Sequence, residues 1–192
     1  MEVINIVMSA VTTSIQTETD IINMCFIPDQ KEFKTLYVET SDLDMEKIMR
    51  NENLEEAFSH NQLKSVIETN QIIEDMNVQM IKNTRVVIAQ HIRNYLEEMS
   101  KKYDKIIFWV NEHTLWSQFL EFIYGSTKET IQIPEYIDFQ PIDINSIIRI
   151  SNFKNGNYDY GEDIMNMDES YTISSLQISS FLYFFLKEIK AV

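Results

Sequence analysis

Three short apolar runs within the first 38 residues constrain the fold of this chain more than any other feature of its sequence. The runs are Val3–Val7, Ile21–Ile27 and Phe33–Val38, and each is rich in β-branched or aromatic residues. A polar connection separates the first two runs, and a Pro-Asp-Gln turn separates the second from the third. Runs of strand formers bounded by turn residues are typical of strands that pair in sequence order. We therefore predict an antiparallel three-strand meander at the start of the chain.

Helical spacing replaces the strand-like runs in the next part of the chain. Residues 42–81 have an irregular helical pattern, in which five apolar residues are expected to face inward: Leu54, Phe58, Ile67, Ile72 and Ile73. A clearer helix follows, which Asn83 or Thr84 can cap and which ends near Lys101 and Lys102. Its apolar residues recur at intervals of three and four: Ile88, Ile92, Tyr95, Leu96 and Met99. Such spacing predicts one buried helical face.

Strand and helix patterns alternate after this helix. The continuous apolar run Ile106–Val110 predicts a strand that is covered on both faces. A short helix, Leu115–Tyr124, is expected to stop at Gly125. A short strand around Tyr136–Phe139 and a helix capped by Asp143 are expected to follow.

The last predicted helix, Thr172–Lys190, is apolar over most of its surface, which is typical of a buried helix. Its aromatic residues also leave open a docking face for a partner or for a second copy of the chain: Phe181, Tyr183, Phe184 and Phe185. A chain of 192 residues is a little short for two ordinary domains, and no linker composition or internal repeat divides it. We expect residues 1–192 to form a single α/β domain.

The charge and composition of the chain limit the classes of function. A net charge of −14 disfavours binding to nucleic acid, which depends on basic side chains, and favours a protein partner. The acids concentrate in residues 39–75 and 155–171, which are either solvated surfaces or surfaces that imitate nucleic acid. Because no apolar run reaches the roughly 18 residues that span a bilayer and no basic secretory start is present, we expect a cytoplasmic protein without membrane contact. Cys25 has no thiol partner and is expected in the core.

Three segments carry a resemblance to a known family. Phe108–Trp116 resembles a strand-to-helix stretch that commonly has a W-G-N-G-x-x-F-D pattern, and Ile142–Ser146 is similar to a later R-D-x-R-T stretch. Tyr171–Leu176 stands where the family begins a last helix with His-x-Ala-x-x-Asp. Together with the order of elements, the chain resembles the DnaQ-like (DEDD) 3′–5′ exonucleases, in their phage and bacterial exoribonuclease-like branch. The resemblance implies a ribonuclease H-like mixed sheet, with an antiparallel three-strand meander plus parallel strands, flanked by helices.

The enzymes of this family use four acidic residues to hold two metal ions, usually Mg²⁺, about 4 Å apart. On the resemblance, the Asp-x-Glu pair of the first strand is replaced by Met8 and Ala10. The Asp of the middle helix is replaced by Trp116. None of these side chains offers an oxygen to a hard cation, so no cofactor is expected.

The last acid of the family has two possible positions in this chain. It falls on Leu176 if the site follows the His form of the motif and on Ser175 if it follows the Tyr form. Tyr171 stands four residues before Ser175, which is the spacing of the Tyr form. Without a metal site, this tyrosine is more simply a packing residue. The resemblance thus implies a site that has lost its acids.

An active metal-dependent exonuclease with displaced acids is the alternative, and it would use Mg²⁺. Its candidate ligands are Glu18, Asp20, Glu112, Asp143 and Asp168. Gln16–Thr19 resembles a frequent D-T-E-T form of the first motif, with glutamine in place of aspartate. However, Glu18 lies only three residues before Ile21, which leaves too little chain for the usual connection to the second strand. Asp143 survives in the supporting motif and is accounted for as a helix N-cap.

The patterns together favour a catalytically inactive exonuclease-like protein, a pseudoenzyme, that acts by binding, regulation or inhibition. Its acidic segments would bind and inhibit a basic host enzyme that handles nucleic acid. The family branch and the Asn/Ile/Lys-rich composition favour a phage or other mobile element as the source. A third interpretation is an assembly protein that dimerises through the aromatic last helix. His60, His91 and His113 lie on different predicted elements and lack the spacing of metal ligands.

Overall fold

The computed structural model describes residues 1–12, 21–43, 77–110, 113–125, 132–144 and 146–147. The predicted inward residues between 54 and 73, the acidic segment 155–171 and the predicted last helix lie outside the described residues. The main elements, in chain order, are β1 (Val3–Thr12), β2 (Ile21–Pro28), β3 (Thr35–Thr40), β4 (Val78–Asn83), α1 (Arg85–Ser100), β5 (Lys105–Val110), α2 (His113–Tyr124) and β6 (Ile142–Asp143).

The described strands form one six-stranded sheet in the order β4-β3-β2-β1-β5-β6. The pairs β1–β2 and β2–β3 are antiparallel and form the predicted meander. The pairs β3–β4, β1–β5 and β5–β6 are parallel. The structure therefore confirms the predicted α/β fold with a mixed sheet, in which an antiparallel meander is joined to parallel strands.

The first strand is longer than the apolar run that predicts it. The run ends at Val7, whereas β1 continues to Thr12. Ser9, two residues beyond the run, still pairs with Cys25 on β2. β1 therefore includes Met8 and Ala10, which the resemblance also places on the first strand, and it ends at Thr12, where the polar connection begins.

The prediction of a helical pattern up to residue 81 is wrong in its last part, because Val78–Asn83 is the strand β4. Gln79 and Met80 are neighbours and both are exposed, so the strand lacks the strict alternation that identifies a half-buried strand. Its conformation follows instead from parallel pairing with β3, to which an ion pair between Lys82 and Glu39 adds a side-chain contact.

The strand β5 is buried unequally on its two faces, and the predicted cover is complete only on the face that belongs to the main apolar cluster. Ile106, Phe108 and Val110 are completely buried. Ile107 and Trp109 are only partly buried. The Trp109 indole N–H lies on the second face, where it donates a hydrogen bond to the Asn5 side chain.

The strand predicted at Tyr136–Phe139 is also wrong, because the true strand lies a few residues later. Ile137 alone forms a bridge, with Ile106, through two backbone hydrogen bonds that flank it. The chain then turns, and Ile142–Asp143 pairs in parallel with the end of β5. A two-residue strand is too short to show a periodic pattern, so the sequence did not reveal it.

The main apolar cluster lies between one face of the sheet and the two helices, and Val7 and Ile27 on the opposite face are buried as well. The buried residues of α1 are Ile88, Ala89, Ile92, Leu96 and Met99. These include four of the five residues that the helical spacing predicts, whereas Tyr95 is only partly buried. Phe119 of α2 contacts Phe26 and Phe108 of the sheet, with ring centroids 5.7 and 5.3 Å apart.

Within the described residues, neither helix is long and apolar enough to cross a membrane.

The ends of the helices depend on different groups. Thr84 is the residue before α1, but its side chain makes no capping hydrogen bond. The Asp42 carboxylate instead accepts a hydrogen bond from the Arg85 backbone N–H, with a distance of 2.8 Å.

At the end of α2, Gly125 has φ 76°, a conformation that favours glycine, and its N–H donates to the Glu121 carbonyl. The predicted stop of α2 at Gly125 is confirmed.

Substitution of Asp42 by alanine tests the cap that sequence reasoning missed. We expect the free energy of unfolding to fall by about 1 kcal/mol, because one N–H at the start of α1 loses its partner. Urea denaturation followed by circular dichroism measures this change. Asp42→Asn retains an acceptor oxygen and should cost less than Asp42→Ala. If Asp42→Ala is as stable as the unmodified protein, the carboxylate does not stabilise α1.

Candidate functional site

The candidate site lies where three neighbouring strands end at the same edge of the sheet. β1, β5 and β6 run parallel to one another, so their carboxyl ends point to one side. Met8, Val110 and Asp143 form one row across these strands. In open α/β sheets, ligands bind beyond the carboxyl ends of parallel strands. This edge contains every described residue that the resemblance assigns to catalysis or to its support.

The two positions on β1 lie in the core. Met8 is completely buried and Ala10 is 8% exposed. Both belong to the apolar cluster that includes the inward faces of α1 and α2. Because successive strand residues point to opposite faces, these two side chains share the helix-covered face of the sheet. They have the geometry of packing residues.

The third position, Trp116, is fixed by both apolar and polar contacts. Its ring lies 5.0 Å from the ring of Phe108 and stacks on Phe119, with centroids 5.4 Å apart. Its indole N–H donates a hydrogen bond of 2.9 Å to the Phe139 carbonyl. A buried tryptophan whose N–H has a partner is favourably placed, because both the ring and the polar atom are satisfied. Trp116 therefore fills the space beside β5 and holds the chain that leads to β6.

These three side chains do not fit a divalent cation. Mg²⁺ requires oxygen ligands in near-octahedral geometry, and Met8, Ala10 and Trp116 supply a thioether, a methyl group and an indole. In the part of the chain that the structure describes, no three His, Cys, Asp or Glu side chains lie close enough together to hold a metal ion. Met8, Ala10 and Trp116 therefore pack in the core and do not act as metal ligands.

Asp143 is the described acid at this edge. It ends β6, and its carboxylate accepts a hydrogen bond of 2.7 Å from the Ser146 hydroxyl. Helical conformation begins at the next residue, Ile144, as expected if Asp143 precedes a helix. The remaining candidates, for either form of the site, lie outside the described residues: Glu18, Asp20, Glu112, Asp168, Tyr171, Ser175 and Leu176. Whether any of them approaches Asp143 stays a prediction.

Sequence reasoning missed a hydrogen-bond network on the opposite face of the sheet. The Trp109 indole N–H donates to Asn5 Oδ1 at 2.9 Å, and Asn5 Nδ2 donates to Asp29 Oδ2 at 2.8 Å. The Asp29 N–H also donates to the Asn5 backbone carbonyl at 2.9 Å, and the Asn5 N–H donates to Asp29 Oδ1 at 3.1 Å. The network connects β1, β5 and the turn after β2. Asn5 is the polar residue inside the first apolar run, and that interruption was the available signal.

The same face buries several polar side chains nearer the centre of the sheet. Ser9, Cys25 and Tyr37 form one row across β1, β2 and β3, and each is at most 1% exposed. Burial raises the pKa of the Tyr37 phenol far above its ordinary value, with a smaller contribution from Glu39. Tyr37 therefore stays neutral and acts as a packing residue. Cys25 is buried as predicted.

The histidines do not form a site among the described residues. His91 is exposed on α1 and His113 begins α2. His60 lies outside the described residues. The two described histidines thus lie on different elements, as the sequence predicts.

Comparison with known proteins assigns no family to this chain. No protein-family model matches its sequence, and no curated protein matches it either. The exonuclease resemblance accordingly stays an expectation that rests on element order and local spacing.

Substitution of Met8 by aspartate tests whether this position faces the core. The change removes the burial of an apolar side chain and leaves a carboxyl group without a partner, so we expect a loss of about 3–6 kcal/mol in the free energy of unfolding. Urea denaturation of the full chain measures it. Met8→Leu keeps the volume and should cost less than about 1.5 kcal/mol. A Met8→Asp protein as stable as the Met8→Leu protein would show that Met8 faces water.

Proposed function

We propose that this protein is a catalytically inactive relative of the DnaQ-like exonucleases, which acts as a binding or regulatory protein. The observation that carries the proposal is the apolar packing of Met8, Ala10 and Trp116 at the positions that the resemblance assigns to metal ligands. Hydrolysis of a phosphodiester by two metal ions requires ligands that hold both ions and neutralise charge in the transition state. A thioether, a methyl group and an indole cannot perform that role.

The energetics of burial support the loss of the acids. Burying a methionine side chain contributes about 1.5–3 kcal/mol, whereas an isolated carboxylate in the same place costs several kcal/mol and would neutralise instead. An enzyme of this kind compensates clustered carboxylates with its metal ions. Without the metal ions, apolar side chains at these buried positions give a more stable fold than carboxylates would. The stacking of Trp116 on Phe119 agrees with this account.

The charge of the chain supports a protein partner over a nucleic-acid partner. A net charge of −14 repels a phosphate backbone, and several described lysines already pair with acids, such as Lys82 with Glu39 and Lys102 with Glu32. A basic protein, such as an enzyme that handles nucleic acid, has the complementary charge. We propose that the partner belongs to this class.

Hydrolysis of labelled single-stranded RNA and DNA tests the absence of catalysis. We expect no metal-dependent trimming from the 3′ end in Mg²⁺ or Mn²⁺, relative to a control in EDTA. An active exonuclease of this fold serves as the positive control for the substrate. Trimming that copurifies with the protein and is abolished by Asp143→Asn or Glu18→Gln would contradict the proposal and establish the active alternative with displaced acids.

A further inference from the structure

An open groove of about 830 Å³ lies at the end of β5 opposite to the candidate site. It is bordered by the last residue of α1, by the turn that leads into β5, and by residues 133–139. Lys105, which lines it, begins β5, whereas Val110 of the candidate site ends that strand. The groove is therefore a separate surface from the row of Met8 and Asp143.

The described charged side chains that line the groove are mostly acidic. Asp104, Glu135 and Asp138 line it, and among the described lining residues only Lys105 is basic. The Lys105 ammonium donates a hydrogen bond of 2.6 Å to the Glu135 backbone carbonyl, so the lysine is bound to the groove wall. Ser100, the last residue of α1, also lines the groove, and the carboxyl end of a helix carries partial negative charge. A cationic occupant matches this surface.

Aromatic rings lie among these acids. Tyr103, Tyr136 and Phe139 line the groove, and the Phe139 side chain is 65% exposed although it is apolar. The Phe139 backbone is held by the hydrogen bond from Trp116, which fixes the place from which the exposed ring projects. A guanidinium group stacks on aromatic faces while its N–H groups bond to carboxylates, and the ammonium of lysine does this less well.

The spacing of the acids favours an extended occupant over a metal ion. The lining carboxylates form no group of three, in the described part of the chain, that could hold a cation jointly. Asp104 receives the Glu2 N–H at 2.8 Å and lies 3.7 Å from the N-terminal ammonium of Met1, whereas Asp138 receives the Gln140 N–H at 3.1 Å. Separate cations on one chain suit the carboxylates of Glu135 and Asp138.

We propose that this groove binds an arginine-containing segment of a partner protein. The inference rests on the proposed binding role and specifies the chemistry of the partner. Arginine side chains pair with Glu135 and Asp138 and stack on Phe139, while the carboxyl end of α1 adds to the negative potential. The long-range attraction comes from the net charge of −14, and the groove supplies the specific contacts.

Fluorescence anisotropy of a labelled short peptide of alternating arginine and glycine, titrated with the full chain at low ionic strength, tests this proposal. Glu135→Gln removes one carboxylate charge, and Phe139→Ala removes the exposed ring. Each change is expected to weaken binding by about two- to fivefold, because an exposed ion pair or cation–π contact contributes that much. Both side chains are exposed, so the variants should fold, and circular dichroism verifies this.

Matched controls separate the groove from general attraction to an acidic protein. Glu121→Gln removes one exposed charge from α2, and Val86→Ala trims an apolar side chain that is 75% exposed on α1. The proposal predicts that each control changes the affinity less than Glu135→Gln and Phe139→Ala do. It is overturned if the peptide does not bind, or if the controls weaken binding as much as the groove variants. The hydrolysis assay separates the two proposals. If the peptide does not bind and no trimming occurs, only the proposed role of the groove is refuted. If trimming occurs, the proposed function is refuted.

Discussion

The parallel pairing of β1 with β5 is the contact on which the rest of the described fold depends. Val3–Met8 pairs residue by residue with Lys105–Val110, although about a hundred residues separate the two segments. A parallel connection needs a crossover, and α1 lies immediately before β5 in the chain and packs on the sheet. This pairing makes β1 a central strand with an antiparallel neighbour on one side and a parallel neighbour on the other. It also places the ends of β1, β5 and β6 together.

The same pairing explains why the candidate site is filled. Met8 stands beside Val110 on the helix-covered face, and the rings of Phe108, Trp116 and Phe119 pack against this region. A metal centre there would need polar ligands and access for a phosphate backbone. The structure supplies instead a set of side chains that stabilise the sheet by excluding water. The site that the resemblance locates and the core that the fold requires occupy the same space.

The sequence predicted those elements whose side chains repeat a clear pattern. The meander and α1 follow from apolar runs and from spacing at three and four, and both are confirmed. The short parallel strands β4 and β6 did not follow, because backbone pairing determines them and their side chains show no period. Contacts between distant residues were also invisible: the Asp42 cap spans 43 residues and the Trp109–Asn5 bond spans 104. The apolar nature of Met8, Ala10 and Trp116 was readable, whereas their convergence in one core required the structure.

The described side chains at the carboxyl edge of β1 and β5 are packed as an apolar cluster, and we propose that no pair of catalytic metal ions binds there. Calorimetric titration of the full chain with Mn²⁺ tests this most directly, because it does not depend on the choice of substrate. The account predicts no saturable binding of two ions per chain. Binding of two Mn²⁺ ions per chain that is lost on Asp143→Asn would contradict it, since it would require displaced carboxylates to converge beside that residue.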